Sequence, residues 1–139
     1  MSKQDKQDNQ EAVTPSFKVL VVDDNREVAD SLARLICVLG HQASPAYDGP
    51  SALEKAAAES PDAVFLDIGM PNVDGYELLR RVRALGQAAG GGVPAVALTA
   101  FARSEDRTRA LRAGFLVHVS KPVEPSELIA TVASVAGRV

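Results

Sequence analysis

The stretch that most constrains the chain is Val64-Phe65-Leu66-Asp67-Ile68-Gly69-Met70-Pro71-Asn72-Val73-Asp74-Gly75, an apolar run that ends on a carboxylate and then breaks at Pro71 and Gly75. Such a run reads as a strand buried on both faces, because strands covered on both sides are near-continuous hydrophobic segments rather than alternating ones. In an open parallel sheet the ligand crevice lies outside the carboxyl ends of the strands, so Asp67 is expected where chemistry occurs. A second apolar run, Lys18-Val19-Leu20-Val21-Val22, ends on Asp23 and Asp24, and parallel pairing of the two runs brings three acids into one crevice. Two carboxylates about 4 Å apart repel by about 4 kcal/mol at an effective dielectric of about 20, so the cluster calls for a compensating cation. An oxygen-only site of this kind suits Mg²⁺ or Mn²⁺.

The rest of the chain alternates strand and helix patterns. Val28, Leu32, Leu35, Ile36 and Leu39 recur at helical spacing over Arg26 to Leu39, and Gly40 follows as a stop signal. Gln42 to Tyr47 reads as a weak strand, and Pro50 to Glu59 as a helix introduced by Asp48-Gly49-Pro50. A strand over Ala63 to Leu66 leads to a helix from Tyr76 to about Ala88, with Leu78, Leu79, Val82 and Leu85 on one face. Gly90-Gly91-Gly92 then reads as a flexible connection; it precedes a strand, the wrong sheet edge for a phosphate cradle. Pro94 to Leu98 is a fourth strand ending at Thr99. Ser104 is expected to cap a helix carrying Glu105 and Asp106 at its positive end. Leu116 to Ser120 is a fifth strand ending at Lys121-Pro122, and a last helix runs from Pro125 to about Ala136 with Leu128, Ile129, Val132 and Val135 inward. Five βα units with right-handed crossovers give a three-layer parallel α/β sandwich.

With 139 residues, 46% hydrophobic, the chain suffices for one core and one domain. Residues 1–16 are polar and mixed in charge, with no apolar stretch of the signal-peptide kind, and are expected to form a disordered tail ahead of a domain over 17–139. A net charge of −3 argues against a nucleic-acid binder, no segment reads as membrane-spanning, and a cytoplasmic location is expected. Arg103, Arg107, Arg109 and Arg112 are interleaved with Glu105 and Asp106, which favours a solvated or partner-facing helix. The lone Cys37 is expected to be a small buried thiol, and His41 to be exposed.

The strand ends therefore present Asp23 and Asp24, then Asp67, Thr99 and Lys121, with nothing obvious from the second strand. A carboxylate can act as a phosphoryl nucleophile, acids can hold a divalent cation, and a hydroxyl and an ammonium can each bind a phosphoryl oxygen. The helix that begins near Arg26 leaves open a capping role for Asp23 or Asp24.

From about Phe17 to Val139 the chain resembles the response-regulator receiver domains of two-component signalling. The resemblance is carried by Val21-Val22-Asp23-Asp24-Asn25, Leu66-Asp67-Ile68-Gly69-Met70-Pro71 with Asp74-Gly75, Ala97-Leu98-Thr99-Ala100 and Ser120-Lys121-Pro122, in that order. It implies a flavodoxin-like fold, a five-stranded parallel sheet of order 2-1-3-4-5 with five helices, an order for which this family serves as the standard illustration. It further implies that Asp67 accepts a phosphoryl group from the phosphohistidine of a sensor histidine kinase or histidine phosphotransfer protein. Mg²⁺ would be held by Asp23 or Asp24, by Asp67 and by the backbone carbonyl of Gly69. Thr99 and Lys121 would stabilise the product, and Lys121-Pro122 would be cis.

His118 stands where the family usually carries an aromatic switch residue, so phosphorylation is expected to reposition Thr99 and His118 and to alter the face built from the fourth helix, fifth strand and fifth helix. The expected protein is thus a switch that catalyses its own phosphorylation and slow dephosphorylation, tuned at Gly69 and Phe101, rather than a classical enzyme. It is expected to be mainly monomeric and to regulate a downstream protein partner without a DNA-binding domain. Alternatives are a receiver excised from a hybrid histidine kinase and a phosphorylation-independent pseudo-receiver, the latter opposed by the intact acidic set. An aspartyl phosphatase usually carries a second acid two residues after the nucleophile, where this chain has Gly69.

Overall fold

The computed structural model describes residues 16–70, 73–85, 92–100 and 104–137. The expected tail, apart from Ser16, lies outside the described residues, as do Pro71, Phe101, Arg103 and the first two glycines of the Gly90 connection. The elements alternate throughout: β1 (Lys18–Val22), α1 (Arg26–Val38), β2 (Gln42–Ala46), α2 (Gly49–Glu59), β3 (Ala63–Asp67), α3 (Gly75–Arg83), β4 (Ala95–Thr99), α4 (Ser104–Ala113), β5 (Val117–Ser120) and α5 (Pro125–Ala136). The five strands form one sheet of order β2-β1-β3-β4-β5, all neighbours parallel, as expected.

Alternation along the strands splits the core in two. Val19, Val21, Phe65, Leu98 and Val119 face α1 and α5. Leu20, Val22, Leu66, Ala95 and Ala97 face α2, α3 and α4. All residues of β3 and β4 are buried, which is why both read as continuous apolar runs. β2 carries Pro45 and lies at the sheet edge, where a residue without an amide hydrogen is tolerated; this is why its pattern is weak.

Several expectations are corrected by packing. Ile129 is 53% exposed: the buried stripe of α5 is Leu128, Thr131, Val132 and Val135, and Ile129 stands about 100° off that seam. Thr131 fits the stripe because its hydroxyl donates to the Glu127 carbonyl at 2.8 Å. Cys37 is exposed, one position beyond the Ala29-Leu32-Ala33-Ile36 stripe of α1. His41 is half-buried, its ring centroid 4.0 Å from that of Phe17, and its Nδ1 accepts the Phe17 amide at 3.3 Å. The cap of α1 is Asn25, whose side chain accepts from the amides of Glu27 and Val28, so neither aspartate performs that task. The residues that would cap α4 lie outside the described set, and Ser104 is its first helical residue. No helix among the described residues is long and apolar enough to cross a membrane.

Candidate functional site

Parallel strands in register bring their carboxyl ends to one edge, and the described acids, threonine and lysine gather there. Val22 pairs with Leu66 and Asp67 with Leu98, so Asp23 and Asp67 leave adjacent strands side by side. The ladder continues one step past β1, since the Asp23 amide donates to the Ala46 carbonyl at 3.1 Å. Beyond β3 the chain turns at Ile68-Gly69, and Gly75 packs directly on the strand end. A Cβ at Gly75 would lie 2.7 Å from the Asp67 carbonyl oxygen and 2.7 Å from Ile68 Cα, so only glycine allows this approach. Asp74 caps α3 by accepting from the Glu77 amide at 2.9 Å. Gly75 is thus the first residue of a helix, not only the break expected from sequence.

Asp23 is completely buried and Asp67 is 3% exposed, whereas Asp24 is exposed. Buried carboxylates need partners, and both have them. Asp23 Oδ1 accepts from the Asn25 amide at 2.9 Å and its Oδ2 from Lys121 Nζ at 3.0 Å. Asp67 Oδ1 accepts from the Gly69 amide at 2.9 Å, and its Oδ2 lies 3.3 Å from Lys121 Nζ. One ammonium is therefore seated between two buried acids. The Lys121 amide donates to the Thr99 carbonyl at 2.7 Å, which fixes the end of β5 against that of β4; Lys121-Pro122 is cis. Thr99 is 4% exposed and pairs in register with Ser120.

Burial pushes the Asp67 carboxyl above the usual carboxylate range, opposed by the Gly69 amide and the Lys121 ammonium and reinforced by the charge of Asp23. Burial also works against the Lys121 ammonium, but the two carboxylates outweigh it and raise its pKa. The carboxylates of Asp23, Asp24 and Asp67 each offer an oxygen within 4.8 Å of the others, and the Lys121 ammonium pairs with Asp23 and Asp67, so the three clustered acids outnumber the one ammonium paired with them. That residual negative charge and the oxygen-only donor set fit a hard divalent cation.

His118 does not join this cluster. It lies on β5 opposite Ala97, with Val117 and Val119 directed to the α1–α5 side, so alternation places it on the α4 side. Tyr47 was not anticipated. It follows directly on β2, lines a cleft of about 410 Å³ together with Asp24, Asp48 and Met70, and is held by a 2.6 Å hydrogen bond from its hydroxyl to Asp30. The Arg26 guanidinium stacks 4.2 Å above its ring. Its place one residue past a strand was the available signal, hidden by the weakness of that strand.

Comparison with known proteins agrees with this geometry. The family model of the response regulator receiver domain matches residues 19–133. An uncharacterized 14.6 kDa protein of Leptolyngbya boryana is 43% identical over 111 residues, covering 80% of this chain and 83% of that protein. The response regulator MprA of Mycobacterium ulcerans is 39% identical over 115 residues, 83% of this chain but 48% of that protein, so the chain spans about half the length of the MprA relatives it matches. Among solved structures, a putative response regulator from Chloroflexus aurantiacus superposes with a TM-score of 0.80 at 31% identity, covering 89% of this chain and 100% of that one. The chemotaxis protein CheY4 of Vibrio cholerae superposes with a TM-score of 0.79 at 28% identity, covering 87% and 99%.

Proposed function

The chain belongs to the response regulator receiver domain family, matched over residues 19–133, and on that premise we propose that Asp67 is its phosphoacceptor in a two-component phosphorelay. The observation that carries this is the Lys121 ammonium seated between Asp23 and Asp67 at the carboxyl edge of the sheet. An Asp67 carboxylate oxygen attacks the phosphorus of a phosphohistidine on a sensor kinase or phosphotransfer protein; the new O–P bond forms as the N–P bond breaks, and the donor ring, protonated on its other nitrogen, takes the N–P electron pair and leaves as neutral imidazole. Burial favours the neutral acid, so Lys121 and the Gly69 amide do the work of keeping Asp67 ionised. Asp23, Asp24, Asp67 and the Gly69 carbonyl would hold Mg²⁺, or Mn²⁺, and the ion would supply positive charge to offset that of the phosphoryl group. Lys121 and the Thr99 hydroxyl bind the product oxygens, and slow hydrolysis at this site, tuned at Gly69 and Phe101, resets the switch.

Output is read by a protein partner at the face formed by α4, β5 and α5, through Thr99 and His118. The test is exposure to acetyl phosphate with and without Mg²⁺. Wild-type protein gains one acid-stable, base-labile phosphoryl group in the presence of Mg²⁺, and Asp67→Asn gains none. Equal labelling of the variant would show that another residue is the acceptor.

A further inference from the structure

We propose that protonation of His118 displaces the first turn of α4, so that this face responds to pH independently of the phosphoryl group. His118 Nε2 is buried and has no hydrogen-bond partner among the described residues. A buried nitrogen without a partner is tolerable on a neutral ring and far less so on a cation, both of whose nitrogens must donate. Among the described residues the charges that act on the ring are on α4: Arg107, which repels an imidazolium, and Asp106, which attracts one. From β4 the neighbour is Ala97, which is uncharged, and α1 and α5 cover the opposite face of the sheet. Burial first, and Arg107 second, push the imidazole below its ordinary range.

Asp106 and Arg107 are both in the first turn of α4, so a proton on His118 pulls on one residue of that turn and pushes on the next. Beneath the same helix a second buried polar atom, the Tyr76 hydroxyl oxygen, also lacks a hydrogen-bond partner among the described residues, and the charges of Arg109 and Asp106 act on it. The charge of Asp106 therefore acts on two under-satisfied groups, and a charge on His118 alters the balance of forces on that residue. Resistance to the movement is small, since Ala110 is the buried residue of α4.

The sign follows from linkage. A ring whose pKa is depressed in the buried arrangement favours that arrangement above its ordinary pKa of about 6.5, and the preference is lost as pH falls below that value. A partner that reads α4, if the proposed function holds, thus senses acidity as well as phosphate.

The experiment is a titration between pH 7.5 and 5 followed by amide and imidazole chemical shifts, in the unphosphorylated 139-residue chain. His118 and His41 are the two histidines, so each ring resonance is assignable by substitution. Expected are a His118 midpoint below about 6.5 and amide shifts of Ser104 to Arg109 that follow the same midpoint. In His118→Phe and in His118→Gln those α4 shifts disappear, while the remaining His41 ring still titrates. The proposal is overturned if the α4 amides are flat through the His118 transition, or if their titration survives in both variants. Neither outcome depends on Asp67 labelling, so failure here and failure of the phosphoacceptor assignment are separately visible.

Discussion

The acidic crevice and the α4 edge are built in opposite ways. At the crevice, Asp23 and Asp67 are nearly inaccessible and each carboxylate oxygen of the pair has a donor, with β1, β3 and β4 buried beneath them. At the α4 edge, the helix rests on Ala110, Leu111 is 51% exposed, and two buried polar atoms nearby have no partner among the described residues. By contrast α3 buries Gly75, Leu78, Leu79 and Val82. The groups proposed to do chemistry are thus held by many interactions, while the element proposed to report on them is held by few. Local stability tracks buried apolar contact, so α4 is the cheaper element to move.

Substitutions can break or sharpen that contrast. Phe65→Ala, beneath the crevice at 1% exposure, should cost about 3–5 kcal/mol by urea denaturation. Leu111→Ala on α4 should stay within about 0.5 kcal/mol. Comparable losses would mean that α4 is as firmly packed as the crevice.

A smaller effect concerns the cation. Mg²⁺ at about 100 times its Kd should add about 2.7 kcal/mol to stability. Asp24→Ala should reduce the rise in melting temperature, and a Mg²⁺ titration unchanged in both Asp23→Ala and Asp24→Ala would remove the metal assignment.

Smaller again is the pH linkage of Asp67. Its folded-state pKa is raised, mainly by burial, so the folded protein binds the proton more tightly than the unfolded chain does. Stability associated with this group is therefore lowest above the raised pKa and recovers as pH falls toward about 4, the ordinary range. Without metal, Asp67→Asn should be more stable than wild type at pH 7, with the difference shrinking on acidification. A constant difference between pH 7 and 4 would mean that Asp67 is not held in its raised state.

Another small effect is expected at the α3–α4 contact, where the Arg109 guanidinium lies 4.0 Å from the centroid of the Tyr76 ring, which meets Phe115 edge-on. Arg109→Ala should cost about 0.5–1 kcal/mol, concentrated in faster amide exchange of α4. Slower exchange there would show that Arg109 strains the helix instead of anchoring it.

Much of this organisation was legible in the residues. The doubly buried strands announce themselves as unbroken apolar runs, and Asp23, Asp67, Thr99 and Lys121 are where such runs stop. Strand order came through family resemblance, because periodicity says how a strand is covered and not which strand lies beside it. The errors share one cause. Ile129, Cys37 and His41 sit beside apolar stripes, and whether a flanking residue is covered depends on elements remote in sequence, as when Phe17 closes over His41.

The chain by itself determined a βα alternation and a line of acids, hydroxyl and ammonium at strand ends, since both are written in local pattern. Tertiary structure alone decided the difference between the neighbours Asp23 and Asp24. Nothing local distinguishes them, yet one is fully buried and the other exposed. The physical reason is that a carboxylate can be buried only where a cation meets it, and the cation that meets Asp23 is Lys121, 98 residues further along the chain.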